Sequence, residues 1–269
     1  MRASSASAKG LLATLELLAV SQHGAVTHVR LNRPAKRNAL NDSLIQQLHT
    51  CFVNLPEATR AVVLSGEGDH FCAGLDLSEL LERDAAAGVL HSRAWHTAFD
   101  QLQFGRVPVV AVLHGAVVGG GLELAASCHL RVAEESAYFG LPEGQRGIFV
   151  GGSGAVRIPR LMGVARMTDM MMTGRVYDAQ EGMAAGLTQY VVPVGQGLAK
   201  GLELAKRVAG NAPMSNYAVM HALPRIADQS MAEGLLTESL MAAVAESTPE
   251  AKDRLRAFLD KRAGKVVKS

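Results

Sequence analysis

Glu123 follows three consecutive glycines, Gly119-Gly120-Gly121, downstream of the apolar run Val109-Val110-Ala111-Val112-Leu113. A second segment, Phe71-Cys72-Ala73-Gly74-Leu75-Asp76, follows the apolar run Ala61-Val62-Val63-Leu64. Each pattern is a buried strand running into residues small enough to bring backbone N–H groups against a ligand atom. Two N–H groups aimed at one carbonyl oxygen form an oxyanion hole, which stabilises charge developing on that oxygen. Glu143, in Phe139-Gly140-Leu141-Pro142-Glu143-Gly144, is a second carboxylate candidate. Two carboxyls facing one site can divide acid and base work, because each shifts the other's pKa. Each also has a plainer reading: Glu123 as a buried acid satisfied by a salt bridge or a helix N-terminus, Glu143 as a loop acid. Periodicity alone does not show that the two meet.

Other chemistries have weaker support. Neither Gly119-Gly120-Gly121 nor Gly151-Gly152-Ser153-Gly154 continues into Lys-Ser/Thr, which removes a phosphate-loop reading. After Gly152-Ser153-Gly154, a dinucleotide fingerprint wants a third glycine where Ala155-Val156-Arg157 stands. His70 beside Asp69 resembles part of a triad, but no nucleophile accompanies it. Three cysteines, Cys51, Cys72 and Cys128, share no metal or redox spacing and suggest a reducing compartment, hence a cytoplasmic location. No metal or redox cofactor is signalled. A net charge of +2 over 269 residues gives no support to nucleic acid or an anionic membrane as a partner. The most apolar stretch, 107–126, is interrupted by Pro108, His114 and Glu123, which argues against a membrane span.

The elements that must position these residues follow from pattern. Residues 15–21 and 24–31 read as paired strands around Gln22-His23-Gly24. Asn41 or Asp42 can cap a helix that puts Leu44, Leu48, Cys51 and Phe52 on one face. Strands are expected at 61–65, 109–113, 129–133 and 189–192, and helices at 91–104 and from Gly120. Residues 77–90 read as a mobile helical or loop segment. Trp95 and Phe99, four apart on one helix, line either a pocket or the core. Beyond Val194 the pattern turns helical, over 199–209, 213–223, 231–245 and 249–263. The expected organisation is α/β: a disordered start over 1–15, a core over 16–195, and a helical region over 196–269.

The segment Leu31-Asn32-Arg33-Pro34-Ala35-Lys36-Arg37-Asn38-Ala39-Leu40, the 71–76 segment, the triple glycine with Glu123 and the 139–143 segment occur in that order. Their order and spacing closely resemble the crotonase, or enoyl-CoA hydratase/isomerase, superfamily over about 17–261. The resemblance implies a crotonase-like ββα superhelical core with a C-terminal helical trimerisation region. It implies oxyanion donors at the N–H groups of Leu75 and Gly120, and catalytic carboxyls at Glu123 and Glu143. It implies coenzyme A contacts at Lys36, Arg37, Ala73 and Leu77, and from a neighbouring subunit at Phe258 and Lys261. For Lys36 and Arg37 an ordinary solvated pair is the competing reading, and for Phe258 the anchor of a last amphipathic helix.

Asp76 reads as a loop pin acting through backbone hydrogen bonds, His114 and His129 as core or strand-end histidines. The family's activities make enoyl-CoA hydration the leading expectation, without a cofactor, since coenzyme A is part of the substrate. A double-bond isomerase using chiefly Glu143, another acyl-CoA enzyme of the superfamily, or a non-catalytic acyl-CoA-binding member are the alternatives. The resemblance also implies a homotrimer or a hexamer built as a dimer of trimers. The chain departs from the family pattern at Gly144-Gln145-Arg146-Gly147 and Ile148-Phe149-Val150, where a proline is common. Arg146 there could depress the pKa of Glu143 or point outward.

Overall fold

Alternation of β-branched residues around a two-residue turn makes the first hairpin. Strands β1 (Leu18–His23) and β2 (Val26–Leu31) pair antiparallel, and the turn is Gly24-Ala25, slightly beyond the Gln22-His23-Gly24 signal. The computed structural model describes residues 10–79, 83–260 and 262, and the chain divides into two units at Ala209/Gly210. Leu12 and Leu15 are buried in the first unit's core, so residues 10–15 do not belong to a disordered start. The rest of that expected segment, and Lys261, lie outside the described residues.

Helix α1 (Asp42–Val53) begins as expected: the Asn41 side chain accepts the Leu44 N–H at 3.0 Å, and Leu44, Ile45, Leu48, Cys51 and Phe52 turn inward. Strand β3 (Ala61–Gly66) follows. Helix α2 (Ala85–Gln103) starts six residues before the expected position, because Asp84 caps it by accepting the Ala87 N–H at 2.8 Å. Strand β4 (Val109–Leu113) is separated by only His114-Gly115 from β5 (Ala116–Val118), and helix α3 (Gly120–Ala126) follows directly. The same strand, strand, helix order recurs in β6 (Leu130–Glu134), β7 (Tyr138–Gly140) and α4 (Gly154–Met162), after which comes α5 (Val164–Thr173). Strand β8 (Tyr177–Asp178), α6 (Ala179–Ala185), β9 (Tyr190–Val192) and α7 (Gly197–Ala209) complete the unit.

The larger sheet has the order β1-β2-β3-β4-β6-β9, parallel from β2 onward, and the smaller sheet has the order β5-β7-β8. Successive turns of the chain therefore step from one sheet to the other, the expected ββα superhelix. Cys72 joins this step by pairing with Val117. The main core lies inside the spiral around Phe71, Phe99, Leu122 and Phe139. Val63, Val110, Val112 and Val132 on the outer sheet face pack with Leu204 and Ala205 of α7. That packing assigns α7 to the first unit, which ends at Ala209 rather than at the expected 195.

The second unit is helical: α8 (Pro213–Tyr217), a π turn (Ala218–Ala222), α9 (Leu223–Ala227), α10 (Met231–Ser247) and α11 (Pro249–Leu259). Pro224, which has no N–H to donate, stands two residues after the end of the widened turn. Among the described residues, no helix is long and apolar enough to cross a membrane.

Candidate active site

The two main-chain donors meet because two chain segments end side by side. Leu40 N–H bonds to Gly74 O at 2.7 Å and Asp76 N–H to Leu40 O at 2.8 Å. Peptide groups alternate direction along an extended segment, so the N–H of Leu75 points away from Leu40. Gly120 opens α3, and its N–H belongs to the first turn, which has no partner within the helix. Among the described residues, neither N–H is taken up by a turn or cap hydrogen bond. A Cβ placed on Gly120 would lie 3.4 Å from the Leu75 nitrogen, and one on Gly74 would lie 3.4 Å from the Gly120 nitrogen. Both residues line a cavity of about 330 Å³.

The glycines are required by geometry. Gly119 has φ +54°, a conformation L side chains rarely adopt, and a Cβ there would lie 2.7 Å from Glu143 Oε1. A Cβ on Gly120 would lie 2.8 Å from Cζ3 of Trp95.

Glu123 and Glu143 line the same cavity and are both buried. Glu123 sits one turn into α3 and projects onto the start of α4. Its Oε1 accepts the Gly154 N–H at 2.6 Å, so the carboxylate occupies the N-terminus of that helix. Burial raises its pKa to about 7, with the nearby charge of Glu143 adding; the N–H groups of Gly154 and Gly152 and the Arg157 cation oppose the rise. Glu143 follows β7, and burial raises its pKa too. The exposed Arg146 pulls in the other direction without prevailing, so its expected depression of Glu143 is outweighed. Oε2 of Glu143 is buried without a hydrogen-bond partner among the described residues. Burial therefore disfavours the charged form of both carboxyls in one cavity.

One face of α2 supplies much of the remaining wall through Gly88, His91, Ser92 and Trp95, at helical spacing. Trp95 is both wall and core. It lines the cavity and packs edge-on to Phe99, with ring centroids 5.7 Å apart. Ile148, Phe149 and Val150 close the apolar side. The Gly151-Gly152-Ser153-Gly154 run, read from sequence only as a poor nucleotide loop, is the cradle of Glu123. Close-packing glycines opposite an unexplained buried acid were the available signal.

Around the 71–76 segment, Arg33 pairs with Asp76 at 3.1 Å. The Ser78 hydroxyl, 2.7 Å from Asp76, holds the Asp76 carboxyl below its ordinary range, with Arg33 assisting. Asp76 thus pins the loop chiefly through side chains. His70 Nδ1 accepts the Ala116 N–H at 3.1 Å and takes no part in a triad. His114 and His129 make strand-end bonds to Gly68 O and Gln103 O. The three thiols are buried, and burial pushes their pKa up to about 12.

Lys36 and Arg37 are exposed on the turn at Pro34–Lys36, and Ala73 N–H bonds to Arg37 O at 2.9 Å, joining that turn to the 71–76 segment. Leu77 is exposed in the following 3-10 turn. Phe258 is exposed on α11 in the second unit.

A family profile described as enoyl-CoA hydratase/isomerase matches residues 21–266. A 2,3-dehydroadipyl-CoA hydratase of Escherichia coli is 36% identical over 91% of this chain and 96% of that protein. A short-chain-enoyl-CoA hydratase of Clostridium acetobutylicum is 31% identical over 90% and 94%. Among solved structures, a Rhodopseudomonas palustris protein is 56% identical, with TM-score 0.89 over 97% of this chain and 98% of that one. An enoyl-CoA hydratase from Bacillus anthracis is 32% identical, with TM-score 0.85 over 91% and 96%. The chain belongs to the enoyl-CoA hydratase/isomerase family, within the crotonase superfamily.

Proposed function

We propose that the protein is an enoyl-CoA hydratase that adds water across the double bond of a trans-2-enoyl-CoA thioester. One observation carries this reading: the Leu75 and Gly120 N–H donors and the two buried acids line a single cavity. The thioester oxygen accepts both N–H groups, and each can lower the barrier by about 3 kcal/mol as charge moves onto that oxygen. Glu123 takes a proton from water as the new C–O bond forms at C3. The π electrons shift to an enolate, and Glu143 delivers a proton to C2. Atoms and charge balance without a metal or redox cofactor. Holding water and alkene together removes most of the entropic barrier to their encounter.

Lys36 and Arg37 would meet the phosphates of coenzyme A, and Ala73 and Leu77 its adenine. Phe258 and Lys261 would approach the coenzyme A of a neighbouring subunit in a homotrimer or a dimer of trimers. The test follows loss of enoyl absorbance with crotonyl-CoA and longer or aromatic thioesters. Wild type is expected to turn over, and Glu123→Gln or Glu143→Gln to lose about 10²- to 10⁴-fold in kcat. Hydration unchanged in Glu123→Gln overturns the role of that residue; double-bond migration without hydration overturns the hydratase reading in favour of an isomerase.

A further inference from the structure

The start of α4 is unusual for a helix with serine at its N-cap. Serine there normally turns its oxygen back to the second or third N–H of the helix. Ser153 makes no such bond; its backbone has φ +92°, and its hydroxyl accepts from Nη1 of Arg157, one turn further on. The vacated capping role falls to Glu123, whose carboxylate receives the Gly154 N–H.

Arg157 is itself buried, and a buried guanidinium must be paired. Its Nη2 lies 2.6 Å from Asp100 Oδ1, and its Nε donates to Gln103 Oε1 at 2.6 Å. Both partners stand on α2, the helix that also gives the cavity its Trp95 wall. His96 of α2 adds a link to the same loop through Gly151 O at 3.0 Å. One planar cation therefore uses separate nitrogens to tie the loop holding Glu123 to the helix lining the cavity, a geometry suited to arginine and not to lysine.

We propose that Arg157 is the positioning residue of Glu123: by fastening Ser153 to Asp100 and Gln103, it fixes the N–H groups that orient the carboxylate. Arg157 is not among the residues lining the cavity and is not a catalytic residue. The proposal rests on the reading of Glu123 as a functional base, but its central readout does not require turnover. Electrostatics supports the geometry, because the Arg157 cation favours the ionised carboxylate.

The experiment compares wild type with Arg157→Gln, Arg157→Lys and Asp100→Asn. Ionisation of Glu123 is followed by carbon NMR of labelled glutamate, assigned through Glu123→Gln, alongside kcat, KM and their pH dependence. Arg157→Gln is expected to raise the Glu123 pKa and to move the associated limb of the rate profile to higher pH. It is also expected to lower kcat about 10- to 100-fold with KM nearly unchanged. Arg157→Lys should restore the ionisation but not kcat, since it returns the charge without the fork. Asp100→Asn, at an exposed partner position, should give a smaller shift in the same direction and covers the case in which Arg157→Gln does not fold. Unchanged kcat in Arg157→Lys together with unchanged Glu123 ionisation in Asp100→Asn would overturn the proposal. Absence of hydration in the wild type would instead sink the functional reading, while the NMR titration still decides the role of Arg157.

Discussion

Glu123 carries its own stability signature. Burial lifts its pKa from 4.5 to about 7, so between those values the folded chain holds a proton that the unfolded chain has released. Stability from this group is complete below the unfolded value and is lost as pH rises through the folded one. The shift corresponds to about 3 kcal/mol. Glutamine at this position has no proton to lose, so Glu123→Gln should melt higher than wild type at about pH 8, and the difference should shrink at about pH 5. Thermal melts of both proteins across that range check it; a difference independent of pH would refute it. Glu143 adds to the same rise through its charge, so Glu143→Gln should bring the Glu123 titration below about 7 in the carbon NMR experiment.

At the scale of elements, the site depends on α3 beginning against Trp95. A methyl group on Gly120 would enter the indole ring at 2.8 Å and lie 3.4 Å from the Leu75 nitrogen. Gly120→Ala keeps its N–H but must shift it, and in the oxyanion role proposed above a displaced donor would cost about 10²- to 10³-fold in kcat. Adding Trp95→Leu removes the colliding edge, so the double variant should recover toward the rate of Trp95→Leu alone. Failure of any recovery would mean that the collision is not the cause.

These elements were unevenly legible in the sequence. Glu123, Glu143 and the glycine segments stood out because an acid in apolar surroundings and clustered glycines break local pattern. The cap of α1 was readable because Asn41 and Leu44 are neighbours in the chain. Strands β5, β7 and β8 were not, since two or three residues hold no periodicity and, unlike the equally short β9, they were not read apart from their surroundings. The glycine run 151–154 and the unexplained acid were each visible, but their pairing was not, because Gly154 lies 31 residues from Glu123 and only the spiral brings the two together. Ala-rich residues 85–90 hid the start of α2, which the Asp84 cap decides.

At the scale of the whole molecule, the second unit buries too little to account for itself. Among its described residues only Ala212, Met220, Ala222 and Gly234 are buried. Along α10, Leu235, Leu236 and Leu240 remain about 60% exposed, and Phe258 and Leu259 of α11 are also exposed. Apolar surface on that scale marks an interaction site. The trimer or dimer of trimers proposed above would supply that partner as a second copy of the chain. Light scattering on the eluting protein should give a mass of three or six times the 28.4 kDa chain. Leu236→Glu combined with Leu240→Glu, which puts charge into the apolar surface, should shift that mass toward the single chain while circular dichroism retains the helical signal. If Phe258 completes a neighbour's coenzyme A site, the same variant should raise KM for the thioester more than it lowers kcat. A wild-type mass equal to one chain, with full turnover, would refute both the assembly and the shared site.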